Sequence, residues 1–403
     1  MAFLARFSGN REVLALSIAR MGDAIGNSIL IIVLPLLVTQ LPSPFFPVPE
    51  TVRVGLLIAF YGLVAAIIQP IAGILVDRVN RRKIFIQIGL VLMLVATLGF
   101  IIATTFADLL FFRVFQGFAF ALTTPASLAI ITIATAQSTR GGSMGTFNSA
   151  RFLGFTIGPL IGGYLYTAFG PDLAFLTGGA FILLAIVLVQ AWVKDEEEEE
   201  EARRTKERTQ FRFFDRTLLS SGIGGLAFAV FMMASSFSML VTLEPQFNIR
   251  LNETAFAFSI AFATLTATQV VLQIPLGRLS DRRGRKPFVI GGLLLIAPAT
   301  ALLGLVVTTS QLIGVRLIQG IATAAIAAPA FALAGDLSKG GSEGRQLSLI
   351  TTGFGLGIAL GPLIAGFLAV YAFELPFLIG GIFSLVAAWV VFRFVPETVQ
   401  RQS

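Results

Sequence analysis

The sequence predicts an all-α membrane protein of twelve transmembrane helices arranged as two homologous six-helix halves. Three observations carry that prediction. First, 56% of the 403 residues are hydrophobic and only 13% are charged, with mean hydropathy +0.87. A soluble domain carries about 25% charged residues, so lipid must be part of this chain's solvent. Second, the apolar residues fall into twelve runs, most of them near the roughly 20 residues that a helix needs to cross a bilayer. Third, separate phrases recur at one offset close to half the chain length.

In chain order, the runs lie near 13–38, 54–76, 84–105, 108–133, 144–168, 172–193, 218–243, 254–276, 288–307, 311–335, 346–371 and 374–395. Tight turns separate spans 3 and 4 near Ala107-Asp108, spans 5 and 6 near Gly170-Pro171, and spans 9 and 10 near Thr309-Ser310. The N-terminal stretch lacks the short apolar core and small-residue cleavage site of a signal peptide, so residue 1 is read as the mature start.

Lys and Arg orient the spans. Only Arg53 and Arg250 fall in turns on one side, and Arg20, Arg113, Arg151 and Arg316 fall inside spans. All the others lie in the N-terminus, the C-terminus and the turns of the opposite side. The positive-inside rule places that side, with both termini, in the cytoplasm and the chain in the plasma or inner membrane. The pI near 10.2 therefore reports topology and not nucleic-acid binding. The chain has no Cys and no His, which removes disulfides, thiol and imidazole catalysis and the usual zinc or haem ligands. No nucleophile–base set or phosphate loop is apparent, so an enzyme, a metal and a cofactor are not expected.

The repeat defines the halves. Arg113-Val-Phe-Gln116-Gly117 returns as Arg316-Leu-Ile-Gln319-Gly320, and Gly158-Pro159-Leu-Ile-Gly162-Gly163 returns as Gly361-Pro362-Leu-Ile-Ala365-Gly366, both 203 residues later. Asp77 returns as Asp281, 204 later. Six spans per half is an even number, so the halves are parallel repeats. The expected division is 1–193, a charged cytoplasmic linker over 194–217 with six consecutive Glu, and 218–403. The linker is read as a solvated tether, with Glu200 and Arg204 at helical spacing.

These phrases resemble the major facilitator superfamily, and within it the twelve-helix drug:proton antiporters. Gly73-x-x-x-Asp77-Arg78-x-x-Arg81-Arg82 is similar to the family's loop motif after span 2, with Asn80 where Gly is common; Gly277 to Lys286 repeats it and keeps Gly284. Arg113-x-x-Gln116-Gly117 resembles the span 4 motif. Gly154 to Gly163 resembles the G-x-x-x-G-P-x-x-G-G phrase of antiporters. The resemblance implies that Asp77 sits at the start of span 11 and Asp281 at the start of span 5, each carboxylate at the positive end of a helix. Gly73 and Gly277 would allow close helix approach, and Arg78, Arg82, Arg282 and Arg285 would bind nearby carbonyls or carboxylates. The two copies would latch the halves on the cytoplasmic side and favour the outward-open state; pure topology anchoring is the alternative.

Gly154, Gly158 and Gly162 line one helix face, a small-xxx-small packing surface. Pro159 removes a backbone hydrogen bond and is expected to bend span 5 where the halves meet, as Gly361 and Pro362 would in span 11.

The buried charges bear on mechanism. Asp23 lies eleven residues past Glu12, roughly 16 Å along the axis and near mid-membrane. A charge there costs about 3 kcal/mol unless paired or hydrated. Arg20 and Asn27 share its face at i−3 and i+4. Arg113 and Arg151 come from spans 4 and 5. Two readings stay open: Asp23 exchanges a proton or binds a cation, released from Arg20 or Arg113 during the cycle, or it forms a permanent structural pair. Glu244, at the outer end of span 7 and expected near water, ranks second as a proton site. Arg113 is expected to brace span 1, with Gln116 assisting. Arg316, with no deep acid in its half, reads as structural.

The first functional reading is a secondary transporter with alternating access that exports an apolar, amphipathic or cationic small molecule in exchange for protons, working as a monomer in lipid. A metabolite or sugar facilitator or an anion importer of the same fold is the alternative. A non-transporting receptor or scaffold is the rival from another class.

Overall fold

In a computed structural model of the chain, residues 11–79, 81–135, 140–193, 222–337 and 343–398 are described, without the side chains of 77, 78, 140–142 and 343–348. Twelve helices among them are long and apolar enough to span a membrane. They are α1 (Arg11–Gln40), α2 (Glu50–Arg78), α3 (Arg82–Gly99), α4 (Phe106–Ala134), α5 (Arg140–Phe169), α6 (Pro171–Trp192), α7 (Ile223–Thr242), α9 (Ala255–Arg283), α10 (Arg285–Leu303), α11 (Thr309–Leu337), α12 (Glu343–Leu368) and α13 (Leu375–Phe394). A short helix, α8 (Glu244–Leu251), follows α7. The expected linker, 194–217, lies outside the described residues.

Local chemistry sets the boundaries. The turn between α3 and α4 falls earlier than the sequence suggested, because the Thr105 hydroxyl accepts from the Asp108 amide while the Asp108 carboxylate accepts from the Thr105 amide. This reciprocal cap makes Asp108 part of the first turn of α4 and not of the connection. Pro245 lacks the amide that would continue α7, and a new helix starts at Glu244. That helix ends on Asn252 in the left-handed conformation, a common helix stop. Gly284, with φ +104, makes the break between α9 and α10 that a side chain would strain.

Helices α1 to α6 enclose two apolar clusters, centred on Leu16, Ile86 and Ile182 and on Ile29, Leu57 and Phe175. A third cluster joins α7, α10, α11, α12 and α13 around Leu226, Leu293 and Ile326. The most buried helices are α1 and α7, at matching places in the two sets of six. The sets meet where α2 packs on α12 and α5 packs on α9.

Those two seams are tight at one end and open at the other. At the end opposite the Arg/Lys-rich turns, called here the far end, a Cβ on Gly55 of α2 would stand 2.6 Å from Pro362 O, and one on Gly366 of α12 would stand 2.4 Å from Thr51 O. The Thr51 hydroxyl donates to Gly366 O at 2.8 Å. A Cβ on Gly163 of α5 would stand 2.6 Å from Ser259 of α9. Whole or nearly whole turns away on the same helix faces, toward the basic end, Gly73 of α2, Gly145 of α5 and Gly355 of α12 have no foreign atom within 4 Å. Among the described residues, the seams are closed at the far end and apart at these positions toward the basic end, here called the splayed end.

Candidate functional site

An ion pair lies buried on α1. Asp23 and Arg20 are 5% and 6% exposed, and Arg20 Nη1 donates to Asp23 Oδ2 at 2.8 Å. The i,i+3 spacing on one helix makes that contact short. Two rings bear on Arg20: its guanidinium lies 5.0 Å from the Phe120 ring of α4 and 5.6 Å from the Phe147 ring of α5, both cation–π contacts. Its Nη2 reaches Thr124 Oγ1 at 3.5 Å. Arg151 of α5 is near enough to act on the Asp23 carboxylate electrostatically and stands over the Phe152 and Phe155 rings.

The pair is not fully satisfied. Asp23 Oδ1 and Arg20 Nε have no hydrogen-bond partner. Beside them is a cavity of about 20 Å³ between α1, α3, α4 and α6, with Ile86, Leu90, Thr123 and Ser127 on its wall. That volume holds one water molecule. The hydroxyls of Thr123 and Ser127 both donate to carbonyls of their own helix, which leaves their oxygens free to accept from such a water.

Asn27 shares the face of Asp23 but turns to a different partner. Its Nδ2 donates to the Tyr61 hydroxyl of α2 at 3.0 Å, and its Oδ1 is unpartnered. The Arg113 guanidinium lies 5.4 Å from the same Tyr61 ring. The expectation that Arg113 braces span 1 is corrected. Its Nη1 donates to Gln116 Oε1 on its own helix at 2.9 Å, and Gln116 Nε2 donates to Thr97 Oγ1 of α3 at 3.1 Å. The i,i+3 geometry turns the guanidinium along α4, so the chain of bonds ends on α3. In the other six helices Arg316 donates to Gln319 at 2.9 Å and Gln319 to Thr300 at 3.1 Å. The two copies of the motif thus build one device twice. Arg316, 0% exposed, faces Phe262 at 5.5 Å, and its Nε and Nη2 are unpartnered.

Glu244 is also corrected. It was expected near water; it is 0% exposed, and neither carboxylate oxygen has a hydrogen-bond partner. The chain turn at Leu243 folds it inward beneath α8 instead of out into a connection.

The glycine ladder is a close-packing face, and its partner is α1. A Cβ on Gly154, Gly158 or Gly162 would meet α1, at Ala24, Ser28 and Ile29, and not the other half. The Ser28 hydroxyl lies 3.0 Å from Gly154 O, a bond that needs this close approach. The neighbouring Gly163 is the residue that faces α9. Pro159 sits within an unbroken helix of 30 residues. Gly361 packs on Ser235 and Ser238 of α7, and Pro362 O accepts from the Thr242 hydroxyl at 3.1 Å.

Gly73 and Asp281 are the latch residues whose surroundings bear on a contact between the two sets of six helices. Gly73 allows no close approach here, since nothing faces it. Asp281 is paired with Arg285 of α10 at 2.9 Å, and the side chains at the start of α5 lie outside the described residues. Arg285 also bonds Asp336 and Ala332 O of α11. At the head of α10 the carboxylate is Glu397, which accepts from the amides of Arg285 and Lys286. Arg82 is buried, Arg282 is exposed, and Gly277 faces Ala328 of α11 at 3.4 Å. The side chains of Asp77 and Arg78 lie outside the described residues.

Sequence reasoning missed Tyr61, Thr97, Thr124, Asp336 and Glu397. Single hydroxyls on apolar helices carry no pattern of their own. The spacing of nineteen residues that joins Thr97 to Gln116 and Thr300 to Gln319 is visible only when the two halves are aligned.

Comparison with known proteins agrees with this architecture. The family model described as Major Facilitator Superfamily matches residues 16–264 and 226–403. An uncharacterized MFS-type transporter of Methanocaldococcus jannaschii is 26% identical over 79% of this chain and 82% of its own length. The multi-drug resistance efflux pump PmrA of Streptococcus pneumoniae is 32% identical over 35% of each chain. Multidrug resistance protein 1 of Bacillus subtilis is 31% identical over 54% of this chain and 56% of its own. In structure, a bacterial homologue of the human lysosomal transporter Spinster superposes with a TM-score of 0.78 at 17% identity, covering 94% of this chain and 95% of that one. With the fold, the twelve spans and both arms of the family model in agreement, the chain belongs to the major facilitator superfamily, as an integral multi-pass transporter of small molecules and not an enzyme.

Proposed function

We propose that this transporter exports an apolar, amphipathic or cationic compound in exchange for protons, with Asp23 as the proton carrier. One observation carries the reading: a mid-helix carboxylate, buried and paired to Arg20, keeps one oxygen unpartnered beside a water-sized cavity. A permanent structural pair gains nothing from an orphaned oxygen, which costs about 1–3 kcal/mol or more. An exchanging carboxyl needs a free oxygen to take the proton and a water to bring it. The Arg20 contact then alternates with protonation: the neutral acid releases the guanidinium, and the ionised acid recovers it.

The halves are read from the sequence repeat as 1–193 and 218–403, joined by the charged segment 194–217. With the basic turns in the cytoplasm, the splayed end faces inward, and the conformation is open to cytoplasmic substrate. Rocking of the halves about the seams α2–α12 and α5–α9 would close that end and engage the two charged phrases. The name of the pneumococcal relative, a multi-drug resistance efflux pump, supports the direction. The test is proton flux in inverted vesicles with a panel of lipophilic cations and neutral drugs, comparing wild type with Asp23→Asn. Drug-independent flux behaviour in both would remove the reading.

A further inference from the structure

The far end of the molecule holds a second acid that export by Asp23 does not use. Glu244 heads α8, which packs against α1, α9 and α7, so it stands where a helix of the second half meets one of the first. It is wholly buried, and among the described residues neither oxygen makes a hydrogen bond of good geometry, although the Asn248 side chain one turn on is near enough to act on it. Its region adjoins the closed seam: the Phe256 amide of α9 donates to the Thr167 hydroxyl of α5 at 3.2 Å, and Glu244 is near enough to act electrostatically on Tyr166, the residue before.

Among the described residues no cation stands ready to neutralise it. Beyond Asp23, α1 carries no charged residue, and α7 carries none. The charges of α9 are Arg278, Asp281, Arg282 and Arg283, at its basic end, five or more turns from this region. On α8 itself Arg250 is bonded to Glu374 at 3.0 Å and lies over Phe373. Glu253, in the turn before α9, accepts from the Thr309 hydroxyl. Tyr166 is the remaining titratable neighbour. An ionised carboxylate sealed here without partners costs several kcal/mol; a carboxylic acid does not.

We infer that Glu244 is a proton-binding site of the far-end gate, and that the gate closes with a proton on this carboxyl and opens as the proton leaves. The ligand is the proton alone: binding converts the carboxylate to the acid with no other bond made or broken. Burial pushes the carboxyl well above the ordinary glutamate range in the closed state, with partial relief from the Asn248 side chain one turn on. Opening admits water and returns it toward that range. The closed-to-open ratio therefore falls with rising pH between the two values, by up to about ten-fold per pH unit for one proton. Because the site is sealed from the basic end, its proton returns to the side it came from. Glu244 sets the gate and carries no charge across, so the inference stands independently of Asp23.

The chain has no cysteine, so Phe45→Cys and Tyr371→Cys, at far-end positions 76% and 82% exposed on the two halves, give a spin-label pair with no background. The distance distribution is read in lipid nanodiscs from pH 5 to pH 9. In the otherwise native chain the short-distance population is expected to fall with rising pH, and in Asp23→Asn to fall likewise. In Glu244→Gln, and in Glu244→Met as a second neutral replacement, it is expected to stay short throughout. A native chain without pH dependence, or either folded Glu244 variant titrating like the native chain, overturns the inference. Loss of the titration in Asp23→Asn but not in the Glu244 variants would transfer the gate to Asp23.

Discussion

Gly55 and Gly73 lie on one face of α2, eighteen residues and five full helical turns apart, yet they meet opposite surroundings. Gly55→Ala would put a Cβ 2.6 Å from Pro362 O, 3.2 Å from Leu363 Cα and 3.3 Å from Pro362 C. All three are backbone atoms, so no rotamer change can relieve the clash, and the far-end seam must open. Overpacking of this kind costs about 1–3 kcal/mol, and the cost falls only on the state in which the seam is closed. It should lower the ratio of far-end-closed to far-end-open molecules by about 5- to 150-fold. Gly73→Ala meets no atom in the present conformation. It should penalise only the state in which the basic end closes, and so move the equilibrium the other way. Both substitutions gain the same helix propensity, about 1 kcal/mol, which cancels between them. The assay is the 45–371 label distance at fixed pH in nanodiscs. If the two alanines shift the distribution in the same direction, or Gly55→Ala leaves it unmoved, the two-ended rocking account is wrong.

Other perturbations follow from the same geometry. Arg20→Met leaves Asp23 buried without its partner, a break that costs about 3–5 kcal/mol when the acid stays ionised. Adding Asp23→Asn should restore much of the thermal midpoint in detergent, and a double variant less stable than Arg20→Met alone would contradict the pairing. The Arg250–Glu374 bridge holds the Glu374 carboxyl below its ordinary value through hydrogen bonding to Arg250. Its contribution is therefore present above the ordinary glutamate range and lost as pH falls through the lowered value. Exposure keeps it small, so Arg250→Met should change the acid limb of a stability–pH profile slightly and leave the neutral plateau nearly unchanged.

The twelve spans were legible because lipid imposes a length and a composition that sequence records directly. The repeat was legible because Arg113, Gln116, Arg316 and Gln319 are rare residue types inside apolar helices, and the structure shows each set making the same bonds. Direction was harder to read. The glycines of α5 announced a close contact, but a small-residue stripe does not name its partner, which proved to be α1. Glu244 looked solvated because Pro245 and the polar residues after it resemble a surface turn; the short helix they form instead seals the acid inside. Asn27 and Asp23 shared a helix face as expected, yet Tyr61 took the amide and left the acid to Arg20. One tyrosine in a row of aliphatic residues gives no warning of that choice.

The most direct test of the central claim is the proton gradient in energised inverted vesicles, followed as lipophilic cations and neutral drugs are added to wild type and to Asp23→Asn. The account expects at least one compound to dissipate the gradient in wild type and none to do so in the folded variant. A variant that dissipates it as wild type does would return Asp23 to a structural pair, and a wild type that responds to no compound would set proton-coupled drug export behind a facilitator of the same fold.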